Sequence, residues 1–223
     1  MSEKMNEKKN LILSLLFLLV TISFIMCKAN NKEEPIGEEN GTELAENESR
    51  KAFVRLKAKA DSAKIYSKQK GLNTNYCILI DFSIHSGKNR FFVWDFAKDS
   101  IKYESLCCHG YGLKSTRQQP VFSNVEGSYC SSLGRYKMGI SSYSNYGINI
   151  HYKMHGLDKT NNNAFRRLIV LHSHTPVPEE EIYPLHLPLG WSQGCPVIND
   201  SIMTEVDKLL KKEKKPLLMW IYV

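Results

Sequence analysis

The sequence lacks the features that several common protein classes require. Six cysteines in 223 residues are too few and too scattered for a small disulfide scaffold. There is no internal repeat, and the longest apolar run covers only residues 11–26, which excludes repeat arrays and multi-span membrane proteins. The chain also has no arginine-rich helix and no basic strip interleaved with aromatic residues. We therefore predict no nucleic-acid partner.

The sequence does contain enough apolar material for a packed domain. Hydrophobic residues make up 42% of the chain and charged residues 24%, which excludes full disorder and collagen-like repeats. The net charge of +7 is unevenly distributed, because residues 28–50 hold three basic residues and seven glutamates. We expect a basic folded domain behind an acidic spacer. Such a charge either keeps the domain soluble or favours an anionic surface such as cell-wall polymer.

The first 27 residues have the pattern of an export signal. Three lysines precede the apolar run 11–26, and Cys27 follows that run directly. Cys27 stands where a bacterial lipoprotein carries its lipidated residue, so we predict a lipoprotein signal over 1–27 and a membrane tether. An uncleaved apolar anchor and plain secretion are the alternatives. All three place the rest of the chain in or beyond the bacterial cell envelope.

The remaining chain divides by composition into three parts. Residues 28–48 are rich in Glu and Asn and predict an acidic flexible linker. Residues 49–74 carry apolar side chains at intervals of three and four, which predicts an amphipathic helix ended by Gly71 and packed on the domain 75–223. Within that domain we expect strands at 76–82, 90–96, 101–107, 168–172 and 217–223, and a helix that Asp200 or Ser201 caps.

One loop and one strand end carry the candidate chemistry. The loop at 192–196 reads Ser-Gln-Gly-Cys-Pro. Its glycine permits close backbone approach, and the amides of Gly194 and Cys195 could face a developing oxyanion. A thiol attacks only as thiolate, so Cys195 needs a base. His172 ends the predicted strand 23 residues upstream, and His174, two residues further, is the alternative base.

Spacing alone leaves other interpretations of these residues open. A lone cysteine is more often a small buried side chain than a nucleophile, and a lone histidine more often makes structural hydrogen bonds. His172 and His174 could also ligate zinc, but neither a Cys-x-x-Cys nor a His-Glu-x-x-His motif accompanies them.

A family resemblance favours the catalytic interpretation. The chain from about residue 76 to residue 223 resembles the YkuD-like L,D-transpeptidases, the murein L,D-transpeptidase catalytic domain proteins. This resemblance implies a mainly β fold, a mixed β-sandwich or barrel-like sheet with flanking helices. The blocks that carry it occur in the family's order at 80–83, 90–95, 109–110, 122–124, 127–128, 131–134, 155–157, 161–163, 166–167, 169–172 and 192–196.

The resemblance also implies roles for individual residues. Cys195 matches the family's nucleophile and His172 its general base, while Ser192 and Gly194 match the positions that shape the oxyanion loop. No metal and no organic cofactor is required. Further substrate contacts are expected from His174, Trp191 and Ser132.

The implied reaction joins peptidoglycan stem peptides. Cys195 would form a thioester with the third residue of one stem, and the side-chain amine of a second stem would resolve it into a 3→3 cross-link. Water in place of the amine would give an L,D-carboxypeptidase. Ser173 and Trp191 depart from the family's usual Gly and Arg, which motivates a third alternative, a wall-binding lipoprotein without catalysis. The other cysteines of the domain are Cys77, Cys107, Cys108 and Cys130. We expect most of them to be buried thiols, and one structural disulfide among them is the alternative.

Overall fold

The computed structural model describes residues 38–223, so the predicted signal, Cys27 and the beginning of the predicted linker lie outside the described residues. The chain divides into two compact units after Lys51, and the second unit is Ala52–Val223. In the described part of the chain, no helix combines the length and apolarity needed to cross a bilayer.

The first helix, α1 (Glu38–Gln69), begins earlier than the sequence predicts. Its first eleven residues fall in the stretch 28–48, for which composition predicts a flexible linker; the division into domains remains a prediction. From Ala52 onward the expected apolar face is present, and Leu56, Ala60 and Ala63 are buried on it. Gly71 ends the helix with a φ of 66°, as expected.

Eight strands and a second helix follow. Each of the five predicted strands is present within two residues of its expected bounds, whereas β4, β5 and β7 were not predicted. The strands are β1 (Tyr76–Asp81), β2 (Phe91–Asp95), β3 (Ser100–Ser105), β4 (Gly134–Tyr143), β5 (Ile150–Gly156), β6 (Val170–Ser173), β7 (Val197–Ile198) and β8 (Leu218–Tyr222), and the helix is α2 (Asp200–Lys212).

All eight strands belong to one sheet that nearly closes on itself. The strand order is β3-β2-β1-β8-β4-β5-β6-β7. Cys108, three residues after the edge strand β3, forms a bridge with Val197 of the opposite edge strand β7. The fold is therefore mainly β and barrel-like with two flanking helices, which confirms the predicted fold class.

The central strand β1 is buried on both faces. Ile78 and Ile80 point into the main core inside the sheet, and Cys77 and Leu79 point into a second core beneath α1. Alternate side chains of a strand face opposite sides, so one strand supplies both cores. This double burial explains why β1 reads as a continuous apolar run.

One smaller expectation changes, the helix cap, and another, that the other cysteines are mostly buried thiols, is confirmed. The side chain of Asn199, rather than Asp200 or Ser201, caps α2 by accepting a hydrogen bond from the Ile202 amide at 2.8 Å. All five described cysteines are free thiols, and every one except Cys195 is buried.

Candidate active site

Most of the predicted site residues line one cavity of about 430 Å³. It lies where β6, the end of β4 and the loop before β7 meet. The predicted residues that line it are Cys195, His172, His174, Trp191 and Ser192, and the additional ones include Tyr146, His151 and Leu168.

The alternation of β6 aims the histidines at this cavity. Val170 and His172 line it, while Leu171 between them is fully buried in the main core. His174 follows at the same parity and also lines the cavity. A strand locked by core packing is a rigid support for an imidazole.

The Cys195 thiol rests against the backbone at the start of β6. Its Sγ accepts a hydrogen bond from the Val170 amide at 3.4 Å and donates one to the Leu168 carbonyl at 3.8 Å. Leu168 has a φ of 58°, an uncommon conformation for leucine. Burial raises the pKa of the thiol, and the Val170 amide and the charge of Arg167 oppose that rise.

His172 is buried and held in one orientation. Its Nδ1–H donates a hydrogen bond to the Ser173 carbonyl at 2.9 Å, which leaves Nε2 as the proton acceptor. Burial lowers the pKa of His172, the Ser173 carbonyl opposes this, and His174 and His151 lower it further. Among the hydrogen bonds of the described residues, none joins His172 to Cys195; the two side chains share the cavity.

The loop at 192–196 is shaped by its serine and its glycine. Ser192 Oγ donates to the Cys195 carbonyl at 2.6 Å and accepts from the Gly194 amide at 3.0 Å. Gly194 has a φ of 114°, and a Cβ there would lie 2.6 Å from the Cys130 carbonyl oxygen. The expectation of two oxyanion amides therefore changes, because the Gly194 amide is already bonded. Within residues 38–223, the Cys195 amide donates no hydrogen bond, so it is left as the candidate oxyanion donor.

Aromatic rings enclose the histidines. The ring centroid of Tyr146 lies 5.5 Å from that of His172 and 6.0 Å from that of His174. Trp191 meets His174 edge-on at 5.4 Å. The sequence did not identify Tyr146 or His151, because neither belongs to a motif. The fold brings both residues to the cavity.

The fold accommodates a serine at position 173, where the resemblance leads us to expect glycine. Ser173 is fully buried, and its Oγ accepts a hydrogen bond from the Ile148 amide at 3.1 Å. A Cβ on Gly147 would lie 1.9 Å from that oxygen, so the glycine makes room for the serine. Ser173 thus ties β6 to the turn that carries Tyr146, and it does not line the cavity.

Ser132 is not brought to the cavity. It is 2% exposed, and its Oγ donates to the Ser123 carbonyl at 2.8 Å and accepts from Arg167 at 2.5 Å. Arg167 also donates to Ser128 Oγ and to the Cys130 carbonyl. The arginine therefore fixes the segment against which Gly194 packs, a function that sequence reasoning did not assign to it.

No group of three or more His, Cys, Asp or Glu side chains comes together as a metal site within the described part of the chain.

Comparisons with known proteins identify a family for this sequence. The sequence model of the L,D-transpeptidase catalytic domain family matches residues 47–222. No curated protein matches the sequence. Among solved structures, the helical cell shape determining protein Pgp2 from Campylobacter jejuni is 12% identical with a TM-score of 0.44; the match covers 66% of this chain and 46% of Pgp2.

A second similar structure is the L,D-transpeptidase from Xylanimonas cellulosilytica, 10% identical with a TM-score of 0.34 over 66% of this chain and 60% of that one. The chain thus spans about half to three fifths of the solved proteins it matches. Since the family match extends over most of the sequence, this chain belongs to the L,D-transpeptidase catalytic domain family.

Proposed function

We propose that this protein is a peptidoglycan L,D-transpeptidase that forms 3→3 cross-links through a thioester on Cys195. The observation that carries the proposal is that Cys195 and His172 line one cavity, with the His172 tautomer fixed through Nδ1. Membership of the family supports the reaction class.

The proposed acylation uses neutral groups. His172 Nε2 takes the thiol proton as Cys195 Sγ attacks the carbonyl between the third residue of the stem and the terminal D-alanine. The Cys195 amide donates to the oxyanion. When the C–N bond breaks, His172 returns the proton to the leaving amine, and the stem remains as a thioester.

In the second step, the side-chain amine of another stem attacks the thioester carbonyl. His172 accepts a proton from that amine and transfers it to the departing thiolate, so the enzyme returns to its starting state. Water in place of the amine would release a free stem, which is the L,D-carboxypeptidase alternative.

The test is muropeptide analysis of sacculi incubated with the purified protein. New 3→3 dimers should appear with the wild type and be absent with Cys195→Ala. Identical profiles for the two proteins would refute the proposal. Release of D-alanine without dimers would select the carboxypeptidase.

Intact-protein mass spectrometry after exposure to a carbapenem separates catalysis from simple wall binding. We expect a covalent adduct on Cys195 of the wild type. Binding to sacculi without an adduct would favour the non-catalytic alternative that the departures at Ser173 and Trp191 motivate.

We also propose that the protein works in the cell envelope, tethered to a membrane through a lipid on Cys27 or through the apolar segment. The family's substrate class supports the envelope location. Metabolic labelling with a fatty acid should be lost in Cys27→Ala, and unchanged labelling would contradict lipidation at that residue.

A further inference from the structure

A second cavity, of about 650 Å³, lies beside the candidate active site. It is formed by β4, β5 and the segment that follows α2. Its lining is rich in lysine: Lys137, Lys153, Lys211, Lys214 and Lys215. We call it the lysine cavity.

Most of this positive charge is uncompensated. Lys211 pairs with Asp207 at 2.7 Å, but none of the ion pairs within residues 38–223 uses the other four lysines. Glu213 is the acidic residue of the lining, and its carboxylate accepts hydrogen bonds from Asn73 at 2.6 Å and Asn75 at 3.0 Å. The lining therefore carries a net positive charge, which suits an anionic ligand.

One wall of the lysine cavity is a flat ring pair. His155 stacks on Phe165 with centroids 5.0 Å apart, and Lys153 Nζ lies 5.6 Å from the Phe165 ring. Burial lowers the pKa of His155, and Lys137 and Lys153 lower it further, so this ring is neutral near pH 7. The pair offers an apolar surface beside the charges.

The lysine cavity adjoins the catalytic one along β5. His151, Lys153 and His155 stand at alternate positions and share a face; His151 lines the catalytic cavity, and the other two line the lysine cavity. Lys153 pairs in register with Val170, whose amide contacts Cys195 Sγ. Lys153 therefore lies on the strand next to the backbone segment that contacts the thiol.

We propose that the lysine cavity binds the carboxylates of the second, acceptor stem peptide and so directs its amine to the thioester on Cys195. This inference rests on the proposed function. A stem peptide is acidic, and three extended residues span about 10 Å, which exceeds the spacing of about 7 Å along β5 between His151 of one cavity and Lys153 of the other. The lysines thereby favour an amine-bearing acidic peptide over water as the second substrate.

Binding is tested without chemistry on the full chain carrying Cys195→Ala. The probe is a synthetic stem tripeptide that ends in a diamino acid with free carboxylates, titrated by calorimetry. Replacing the four uncompensated lysines with Gln should weaken its binding about tenfold, since several exposed charge contacts are removed together. The matched control replaces four exposed lysines outside both cavities and should bind like the parent: Lys70, Lys98, Lys114 and Lys159.

Two further probes identify the chemistry that is recognised. The same tripeptide with amidated carboxylates should bind the parent as weakly as the free acid binds the lysine-cavity variant. Polyglycerol phosphate, an anionic wall polymer, should bind the parent more weakly than the tripeptide. Equal affinity of the two lysine variants, no tripeptide binding to the parent, or a preference for the phosphate polymer would each overturn the proposal.

A turnover measurement links the cavity to the reaction. With Cys195 intact, the ratio of cross-link formation to D-alanine release should fall in the lysine-cavity variant and remain that of the wild type in the control variant. A ratio that falls equally in both would overturn the proposal. If the wild type forms no carbapenem adduct, the proposed function fails, whereas the calorimetric result still decides whether the lysine cavity binds an acidic peptide.

Discussion

The surrounding protein shifts the pKa values of Cys195 and His172 in opposite directions. The pKa of the thiol is raised and that of the imidazole is lowered, so proton transfer between them is unfavourable at rest. These directions disfavour a preformed thiolate–imidazolium pair. In the proposed mechanism the thiolate forms as His172 takes the proton during attack.

This electrostatic arrangement predicts how alkylation of Cys195 depends on pH. Iodoacetamide reacts with the thiolate, so its rate in the wild type should rise only as the pH approaches and passes 9, the ordinary thiol value, because the thiol pKa is raised. His172→Gln should leave that profile nearly unchanged while abolishing the carbapenem adduct; His174→Gln should retain the adduct. A reactive plateau below pH 7 that disappears in His172→Gln would instead reveal a preformed ion pair.

Both its positive φ and the close approach of a carbonyl oxygen require glycine at position 194. A matched variant at Gly190 separates the two effects. Gly194→Ala would combine an unfavourable φ of 114° with a Cβ 2.6 Å from the Cys130 carbonyl oxygen. Gly190 has a φ of 110° but nothing within 4 Å of its Cβ position. Gly190→Ala should cost about 1 kcal/mol of unfolding free energy from backbone strain, and Gly194→Ala clearly more. Equal losses in urea unfolding would show that the carbonyl moves aside.

At the scale of elements, β6 carries the site because its two faces have different partners. The catalytic face presents His172, and the opposite face places Leu171 in the core and Ser173 against the turn at 144–149. The hydrogen bond from the Ile148 amide to Ser173 Oγ joins the strand to the turn that carries Tyr146. Ser173 therefore supports the aromatic enclosure of His172 from behind.

Removal of this hydroxyl should loosen the turn. Ser173→Ala leaves the Ile148 amide without its acceptor and should cost about 1–2 kcal/mol of unfolding free energy. Hydrogen exchange of the Ile148 amide should become faster. The control is Ser142→Ala, an exposed position on β4 that should change stability by less than about 0.5 kcal/mol. An unchanged exchange rate in Ser173→Ala would mean that the turn is held by other contacts.

Burial on both faces makes some strands easy to predict from the sequence, whereas one-sided burial hides β4 and β5. β1 and β8 are almost wholly buried, and they read as apolar runs. In β4 and β5, by contrast, only alternate residues such as Tyr136, Met138 and Met154 enter the core, and lysines and histidines occupy the other face. β7 has only two residues and depends on its neighbours. These strands are stabilised by pairing with their neighbours in the sheet. Local composition does not reveal that contribution.

At the scale of the whole molecule, the near closure of the sheet assembles the site from distant segments. The sequence predicts Cys195, His172, His174 and Trp191 as neighbours, and they line one cavity. It could not identify Tyr146 or Arg167 as part of the site, because their roles arise from contacts with segments far away in the chain. Ser132 was expected at the substrate and instead lies behind the loop, held by Arg167.

A buried polar network joins the segments at the closing edge of the sheet. Arg90 is 1% exposed, and its guanidinium donates to the carbonyls of Cys107 and Ile84 and to His109 Nδ1. His109 Nε2–H in turn donates to the Thr116 carbonyl at 2.8 Å. The network requires neutral His109, because Nδ1 must accept a hydrogen bond from a cation.

That requirement makes the stability of the fold depend on pH. Burial, with the charge of Arg90, lowers the pKa of His109 to about 4 from its ordinary 6.5. Between pH 6.5 and 4, His109 is therefore protonated in the unfolded chain but neutral in the folded chain. The free energy of unfolding falls by up to about 3 kcal/mol as the pH drops through that window. His109→Gln can accept from Arg90 and donate to Thr116 without titrating, so its unfolding free energy should fall less over the same window. Urea unfolding at pH 7, 5.5 and 4.5 measures this, and parallel losses in the two proteins would show that His109 is protonated in the folded state.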